Sequence, residues 1–524
     1  MKIRLIAAAC TLAAMGSAHA LTPAQVDAAR AAGTLKEIFI SGASALRLSF
    51  AAYAQEICAP ASFDVFFDDG GTVGNGVLEP ASDGINYRAY SCNLAAVAGN
   101  YAIGTPVLIH KRDAGGSGQG VTPILAPAPI TRMNVTAANC VANVAQASPT
   151  PDIQLPSFLC NTTTLASVVP DGGISDVEPS LLQASVNLQT GQVAATVPAT
   201  VNAGSLVQGI FGIAVNKKLY RALQEAQGII GAGAALIDVP ANQNTWTAAD
   251  IATIPSLPTE FVRGAHVGSV IGAAAGFKGW EIVVPASVDS LVNGKTINIC
   301  RRVEGSGTQA ASNVLLAGNP CQSGYNAALT PSGFTQTAAA PAAAGVSGTV
   351  GVRATSTAYS ENTSSGNVET CIGTTVENAF VTVAGDQPAY GMAFLGRENN
   401  PLANGGDKGY RFVKLDGVAP TRTLAKAGNY PAVFEATMQW NTASPALTGA
   451  DGADRIAFLT SLRNNVGKSA SLAKADIDTQ QGVMAPPATY TGAYLSLTNA
   501  DEVAFGSRVS RANNNSCTPL RIIK

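Results

Sequence analysis

The chain has 524 residues, of which 13% are charged, and its formal net charge at neutral pH is −2. This balance provides neither a basic field for a nucleic-acid partner nor an acidic tail. The length predicts two or three domains or one large two-lobed body, and because only 6% of the residues are aromatic, the core must consist of Ala, Val, Leu and Ile.

The first twenty residues, MKIRLIAAACTLAAMGSAHA, have the pattern of a cleavable export signal. Lys2 and Arg4 form a basic start, an apolar run too short to span a bilayer follows, and residues 18–20 form a small-residue cleavage site. No later stretch is long and apolar enough for a membrane span. We therefore expect a mature protein that begins at Leu21, is exported to the periplasm or beyond the cell, and has no stable membrane insertion.

Eight cysteines remain after the signal, and an even number in an exported protein predicts four disulfides. Pairing between neighbours in sequence would join 58 with 92, 140 with 160 and 300 with 321, although the sequence leaves the connectivity open. Because no C-x-x-C motif occurs, a thiol redox role and a cysteine-rich zinc site are both disfavoured.

The mature chain opens with a predicted strand, a turn of small residues and a helix. Residues 36–40 are strand-like, residues 41–44 read Ser-Gly-Ala-Ser, and residues 45–58 are rich in helix formers with an apolar stripe. Such a turn directs backbone N–H groups to one point at the positive end of the helix dipole. The turn could therefore hold an anion, although many α/β proteins have similar turns that bind nothing.

The same arrangement recurs along the chain. Residues 107–110 form a predicted strand, and the glycine-rich residues 115–120 a flexible turn. A further short strand ends at Ser175 and Asp176, and residues 207–215 form a strand that runs into a helix with an apolar stripe.

The second half of the chain continues this alternation. The segment GKTINICRRVEGSGTQAASN predicts strand, turn and helix, and later strands and a late helix are predicted in QPAYGMAFLG, YRFVKLDGVAP, YPAVFEATMQW and DRIAFLTSLRNNVGKSASLAKA. Two segments of low complexity, TQTAAAPAAAGVSGT and STAYSENTSSGN, are predicted to be loops. The alternation of strands and helices favours an α/β fold with mostly parallel sheets.

The stretch RRVEGSGT, residues 301–308, concentrates anion-binding chemistry in a chain that is poor in charge. Gly305 and Gly307 allow the backbone to approach a ligand closely, and Ser306 and Thr308 add hydroxyl donors. Arg302 stands three residues before the turn, where its planar fork can bind a tetrahedral oxyanion. An ordinary glycine-rich turn beside a surface arginine is the competing interpretation.

Other chemistries find little support in the sequence. A nucleotide P-loop and a G-x-S-x-G elbow are both absent. Only His110 and His266 remain after processing, which excludes the H-E-x-x-H motif and leaves a Ser-His-Asp triad with few candidates. We therefore expect no enzymatic activity, no catalytic residues, no cofactor and no metal.

Several short segments, in order, resemble the phosphate-binding proteins of bacterial ABC importers, a branch of the class II periplasmic-binding fold. The most specific similarity is RVEGSGT, which resembles the family's Arg-x-x-Gly-Ser-Gly-Thr signature. The others are IFISGASA, GGSGQGV, GISDVEP, IAVNKKL, AYGMAFL and LDGVAPT with GNYPAVFEATMQW. The resemblance implies two α/β lobes joined by two crossover strands, with an anion bound between them.

The resemblance also implies a set of ligand-binding residues in the turns of both lobes: Ser41, Ala43, Ser44, Ser117, Gly118, Ser175, Asp176, Arg302, Glu304, Ser306, Gly307 and Thr308. At neutral pH phosphate largely carries a proton, whereas sulfate does not. A buried carboxylate can accept a hydrogen bond from that proton and repel sulfate. The sequence leaves open whether Asp176 or Glu304 has this role.

We expect one lobe to comprise residues 21–205 and 430–524, and the other residues 206–429. The predicted function is capture of inorganic phosphate, or a related tetrahedral oxyanion, for delivery to the membrane subunits of an ABC importer. A surface or structural protein that keeps this fold without a transport role is the first alternative, and an exported phosphoesterase is the second.

Overall fold

A computed structural model describes residues 21–71, 74–79, 83–144, 153–189, 191–267, 279–292, 297–322, 335–339, 349–352, 357–375, 390–475, 481–487 and 500–523. The export signal predicted for residues 1–20 lies outside these ranges. Within the ranges, no helix has the length and apolar character needed to cross a bilayer.

The helices, in chain order, are α1 (Pro23–Ala31), α2 (Arg47–Ile57), α3 (Gly116–Leu125), α4 (Pro179–Leu182), α5 (Lys217–Ala226), α6 (Ala248–Thr253), α7 (Thr259–Val267), α8 (Gly307–Ser312), α9 (Ser365–Thr370), α10 (Arg422–Lys426), α11 (Gly452–Asn465), α12 (Ser469–Ala475) and α13 (Ala500–Phe505). Short π-helical turns, Asn313–Ala317 and Cys371–Thr375, follow α8 and α9.

The strands are β1 (Lys36–Gly42), β2 (Asp64–Asp68), β3 (Tyr87–Asn93), β4 (Pro106–Arg112), β5 (Ile130–Arg132), β6 (Cys140–Ala142), β7 (Phe158–Cys160), β8 (Ala166–Val168), β9 (Gly172–Ser175), β10 (Val201–Asn216), β11 (Ser256–Leu257), β12 (Ile297–Arg302), β13 (Thr335–Ala339), β14 (Thr349–Val352), β15 (Thr357–Asn362), β16 (Tyr390–Gly396), β17 (Tyr410–Leu415), β18 (Val433–Asn441), β19 (Val483–Met484), β20 (Val509–Ser510) and β21 (Arg521–Ile522).

One sheet forms around the parallel strands β4, β1 and β9, with β3 and β18 pairing antiparallel at its two sides. Ile38 and Ile40 point to the same face of β1, since successive side chains on a strand alternate. Both are fully buried in a core that also contains Phe50 of α2, Trp440 of β18 and Phe458 of α11, so the prediction of a core built from Ala, Val, Leu and Ile is wrong. Helices therefore cover this face of the sheet.

A second sheet forms around the parallel strands β16, β12 and β15, and β10 pairs antiparallel with β16 and β17. Its core is a separate cluster that includes Ile297 and Ile299 of β12, Leu219 of α5, Phe261 of α7 and the fully buried Trp280. The apolar stripe predicted after residue 215 thus belongs to a helix packed on this sheet.

Strand β10 connects the two sheets. Its first part pairs antiparallel with β18, from Val201 opposite Asn441 to Ile210 opposite Val433. Its last part, from Phe211 onward, pairs with β16 and β17 of the second sheet. One continuous strand thus crosses from one core to the other, and β18 carries the chain back. The predicted α/β fold with two lobes joined by crossover strands is confirmed.

Two local predictions are wrong. The sheets are not mostly parallel, because the hairpin strands at their edges and the long crossover strands run antiparallel to their neighbours. Residues 115–120 are not a flexible turn, because α3 begins at Gly116 and packs directly on β9. A Cβ on Gly120 would lie 2.1 Å from the carbonyl oxygen of Ile174, so glycine there permits close backbone packing.

The predicted loop STAYSENTSSGN is also wrong in part. Residues 357–362 of this segment form β15, which pairs parallel with β12. Helix α9 then begins at Ser365, after Ser364 has accepted a hydrogen bond from the backbone N–H of Asn367. The low complexity of the segment hid a strand because its Thr, Tyr and Ser residues suit a sheet as well as a loop.

Four disulfides are present, as the cysteine count predicts. Two join sequence neighbours, Cys58 with Cys92 and Cys140 with Cys160. The pairing of 300 with 321 is wrong, since the other two bonds are Cys300–Cys371 and Cys321–Cys517. Cys300 lies on β12 in a small buried cluster together with Cys371, Val368 and Ile372, where the end of α9 covers the strand.

Candidate functional site

The first turn of the site follows β1. The fully buried Lys111 donates hydrogen bonds of 3.0 Å to the carbonyl oxygens of both Gly42 and Ala43, and it also pairs with Asp113. The backbone N–H of Ala43 donates to the carbonyl oxygen of Ile174 at 2.9 Å. These bonds turn the carbonyl groups of the turn toward the interior, and a buried lysine fixes them there.

The next residues of this turn line a cavity. Ala43, Ser44 and Ala45 all contribute to its wall, just before α2 begins at Arg47. The carbonyl groups of Gly42 and Ala43 point toward Lys111. Ser44 and the N-terminus of α2 therefore face the cavity, and a helix N-terminus favours negative charge.

The second turn brings a carboxylate and a hydroxyl group together. Asp176 comes directly after β9, and Ser117 lies in the first turn of α3. The Ser117 hydroxyl donates to Asp176 Oδ2 at 3.0 Å, while the Asp176 backbone N–H donates to Ser117 Oγ at 3.1 Å. Burial raises the pKa of the Asp176 carboxyl group, although the Ser117 hydrogen bond and the positive charges of Arg302 and Lys111 oppose that shift.

The third segment of the site is the end of β12 with the turn after it, and Arg302 is the last residue of the strand. Its Nε donates to the carbonyl oxygen of Asn362 at 3.3 Å, Nη1 to Ser365 Oγ at 3.0 Å, and Nη2 to the carbonyl oxygen of Thr363 at 2.9 Å. Burial lowers the pKa of Arg302 to about 10, so the group stays charged at neutral pH. A guanidinium group has five N–H donors, and the three bonds leave two of them for a ligand.

The neighbouring Arg301 points to the other side of β12, since successive side chains on a strand alternate. Its Nε lies 3.4 Å from Glu361 Oε1 on the adjacent strand β15. Of the two arginines in RRVEGSGT, only Arg302 lines the cavity. Arg302 is only 7% exposed, so it is not the surface arginine of the competing interpretation.

The glycine-rich turn after Arg302 meets the second turn directly. The backbone N–H of Gly118 donates to the carbonyl oxygen of Gly305 at 2.8 Å. A Cβ on Gly307 would lie 2.5 Å from Ser117 Oγ and 2.7 Å from Asp176 Cβ. Residues that follow β9 or open α3 are therefore in direct contact with the turn that leads into α8, beside the cavity.

The cavity is small and mainly polar. Its solvent-accessible volume is about 10 Å³, far below the roughly 300–1,000 Å³ typical of sites for drug-sized ligands. It suits an ion or a small polar molecule rather than a large metabolite. Its lining consists of Ala43, Ser44, Ala45, Gly116, Ser117, Asp176, Arg302, Ser306, Thr308, Ser365 and Glu398.

Most of the residues predicted to bind a ligand line this one cavity: Ala43, Ser44, Ser117, Asp176, Arg302, Ser306 and Thr308. Gly118 and Gly307 instead form the contact across the cleft. Ser41 and Ser175 are fully buried beneath the turns, where their hydroxyl groups donate to the carbonyl oxygens of Gln119 and Val177. Glu304 is half-buried and does not line the cavity, so Asp176 is the candidate with access to a ligand.

Sequence reasoning missed two functional groups of the cavity, Ser365 and Glu398. Ser365 lies in the segment expected to be a loop, and its signal was the capped start of α9. Glu398 follows β16, and its signal was an acidic residue two positions after a predicted strand, at the edge where ligands bind in α/β sheets. Among the described residues, no group of three or more potential ligands could hold a metal ion.

Comparison with known proteins shows only remote likenesses. No family model and no curated protein matches the sequence. A solved structure of a proposed phosphate ABC transporter substrate-binding protein with bound phosphate, from Clostridium perfringens, is 11% identical, with a TM-score of 0.36 over 84% of this chain and 98% of that one.

Two further solved structures have a similar degree of likeness. An ABC-type phosphate transport receptor from Vibrio cholerae is 11% identical, with a TM-score of 0.32 over 84% of this chain and 96% of that one. PstS from Borrelia burgdorferi is 10% identical, with a TM-score of 0.31 over 86% and 98%. Scores this low carry no argument about function, which must come from the geometry of the cavity.

Proposed function

We propose that this chain is an exported binding protein that captures inorganic phosphate in the cavity between its two lobes. The observation that carries the proposal is the convergence of Ser44, Ser117, Asp176, Arg302 and Ser306 on one small cavity. These residues come from four segments that lie far apart in sequence and follow strands of both sheets. Hydroxyl donors and an arginine are the groups that a tetrahedral oxyanion requires.

The carboxylate of Asp176 supports phosphate over sulfate as the ligand. A dianion without a proton meets electrostatic repulsion from a buried carboxylate, because desolvated like charges cost far more than solvated ones. Phosphate avoids this penalty by donating its own proton to the carboxylate. The Ser117 hydroxyl occupies only one side of Asp176 Oδ2, so acceptor capacity remains for a ligand.

Capture would use the two lobes in the manner of a hinge. We assign residues 21–205 and 430–524 to one lobe and residues 206–429 to the other, with β10 and β18 as the crossing strands. Opening would separate Gly307 from Ser117 and break the bond between Gly118 and Gly305, which exposes the cavity to solvent. Delivery to the membrane subunits of an ABC importer completes the proposed role.

Isothermal titration calorimetry of the mature chain with phosphate and with sulfate tests this function. We expect phosphate to bind at least ~100-fold more tightly than sulfate, since a site that pairs a substrate proton rejects the analogue that lacks it. Comparable affinities for the two anions would contradict the role of Asp176. If neither anion binds, capture is wrong and a structural role for the fold takes its place.

A further inference from the structure

The cavity contains a second carboxylate. Glu398 lies two residues after the end of β16 and lines the same cavity as Arg302 and Asp176. Its Oε1 accepts a hydrogen bond of 3.2 Å from Asn399 Nδ2. Binding a single proton of a phosphate ion requires only one acceptor, so this second carboxylate needs a role of its own.

The position of Glu398 is built into the packing of the lobe. A Cβ on Gly396 would lie 2.0 Å from Glu398 Oε2, and a Cβ on Gly482 would lie 2.4 Å from the Glu398 backbone nitrogen. Glycine at both positions lets the chain fold the carboxylate back over the end of β16 and toward the cavity. Packing against Gly396 and Gly482 therefore holds Glu398 in place, and its side chain does not extend into solvent.

The negative groups around Glu398 favour its neutral form. Burial raises the pKa of this carboxyl group to about 8, and the charges of Asp176 and Glu369 act in the same direction. A backbone hydrogen bond to the carboxyl group and, more weakly, the positive charge of Arg47 oppose the shift. Glu369 lies outside the cavity, where it accepts hydrogen bonds from Lys408 and the Tyr410 hydroxyl.

The positive groups near Glu398 are largely occupied by other partners. Arg302 donates three hydrogen bonds within its own lobe and is the only cation that lines the cavity among the described residues. Arg397 donates to the carbonyl oxygen of Pro420 and to Gln481, and its guanidinium group stacks on Phe412. With both carboxylates ionised, a phosphate dianion would therefore face two negative charges and one positive charge.

As an extension of the proposed capture of phosphate, we propose that the closed cavity takes phosphate together with two protons. One P–OH group donates to Asp176, and the second proton lies in a hydrogen bond between a phosphate oxygen and Glu398. The bound species is then dihydrogen phosphate in charge and proton content. Above about pH 8, free phosphate is mainly the singly protonated dianion and free Glu398 is mainly ionised, so capture there consumes one proton from solution.

Proton uptake is directly measurable. Titration of the mature chain with inorganic phosphate, in buffers of equal pH but different ionisation enthalpy, gives the number of protons taken up. We expect about one proton per phosphate near pH 9, and an affinity that weakens about 10-fold per pH unit above the Glu398 pKa. A site in which Asp176 alone accepts a proton would take up about none there, because the dianion already carries that proton.

The variant Glu398→Gln tests whether Glu398 accounts for the proton that is taken up with phosphate. Its amide cannot take up a proton but can donate to a phosphate oxygen, so uptake should fall to about zero and the affinity near pH 9 should exceed that of the wild type. Glu369→Gln is the matched control, since it removes a nearby carboxylate that does not line the cavity, and its uptake should stay near that of the wild type.

The outcomes separate this inference from the proposed function. Phosphate binding without proton uptake near pH 9 overturns the inference and leaves phosphate capture standing, whereas the absence of any binding overturns capture itself. Glu398→Ala serves as a second variant in case the glutamine variant misfolds, which circular dichroism would reveal. Proton uptake that persists in either variant places the proton elsewhere and also overturns the inference.

Discussion

The two walls of the cavity are built in different ways. The first wall (residues 43–45, 116, 117 and 176) carries short side chains that sit directly after strands or at the start of helices. The second wall (residues 302, 306, 308, 365 and 398) carries the long side chains of Arg302 and Glu398. On the first wall the backbone sets the position of each functional group, whereas on the second wall contacts with other segments position Arg302, and packing against Gly396 and Gly482 positions Glu398.

This difference suggests that one wall determines selectivity among anions and the other determines affinity. Ser117 and Asp176 hold each other through reciprocal hydrogen bonds, which suits a rigid acceptor that distinguishes one anion from another. Arg302 depends on Asn362, Thr363 and Ser365, about 60 residues later in the chain, and in the proposed function it would attract any anion. Changes in the first wall should therefore alter selectivity, and changes in the second wall should alter affinity.

The largest expected effect comes from the first wall, through Asp176→Asn. An amide in place of the carboxylate no longer repels sulfate and can donate to it, so the ratio of phosphate affinity to sulfate affinity should fall by roughly 10²- to 10⁴-fold. Calorimetric titration with both anions measures this ratio. Glu304→Gln is the control, because Glu304 does not line the cavity, and its ratio should match the wild type.

A ratio that changes in Glu304→Gln but not in Asp176→Asn would reverse the assignment of the acceptor. Equal changes in both variants would point to the overall negative charge of the cleft rather than to a specific hydrogen bond. Either result would remove the distinction between a selective first wall and an attractive second wall.

The next effect in size comes from the second wall, through Arg302→Met. Loss of a charged hydrogen-bond donor costs about 1.5–3 kcal/mol, so phosphate affinity should weaken roughly 10- to 100-fold. Sulfate affinity should weaken by a similar factor, since Arg302 attracts both anions. Arg301→Met makes the same chemical change at a side chain that pairs with Glu361 away from the cavity, and it should leave both affinities intact. Unchanged affinity in Arg302→Met would exclude this residue from binding.

The first wall could be predicted from the sequence more completely than the second. Ser44, Ser117 and Asp176 each follow a recognisable strand within a few residues, and the end of a strand in an α/β sheet is where ligands bind. The signature around Arg302 and Ser306 was equally visible because its glycines, hydroxyls and arginine are adjacent. Local patterns therefore identify the groups that the backbone positions by itself.

The remaining groups depend on contacts between distant segments. Ser365 reaches the cavity only because β15 pairs with β12, and that strand was hidden in a segment of low complexity. Glu398 lines the same cavity as Asp176 although the two residues lie far apart in sequence, which no local pattern records. Cys300 likewise pairs with Cys371 rather than with Cys321, because α9 packs over β12. Spacing along the chain carries no information about such contacts.

The smallest effect should come from the contact between the walls, through Gly307→Ala. The added methyl group would lie 2.5 Å from Ser117 Oγ in the closed cleft, so one wall must move away from the other. Overpacking costs about 1–3 kcal/mol, and at the lower end of that range phosphate affinity should fall roughly tenfold. The affinity for sulfate should fall by a comparable factor, since closure serves both anions.

This loss should appear in binding and not in folding. Alanine is a better helix former than glycine at the start of α8, and an open cleft has room for the methyl group, so the urea midpoint should not decrease. Gly366→Ala, at the start of α9, is the matched control, because the nearest atom to its Cβ would be Ser364 Oγ at 3.8 Å. An affinity equal to that of the wild type in Gly307→Ala would mean that the anion binds without closure, and the two walls would then act independently.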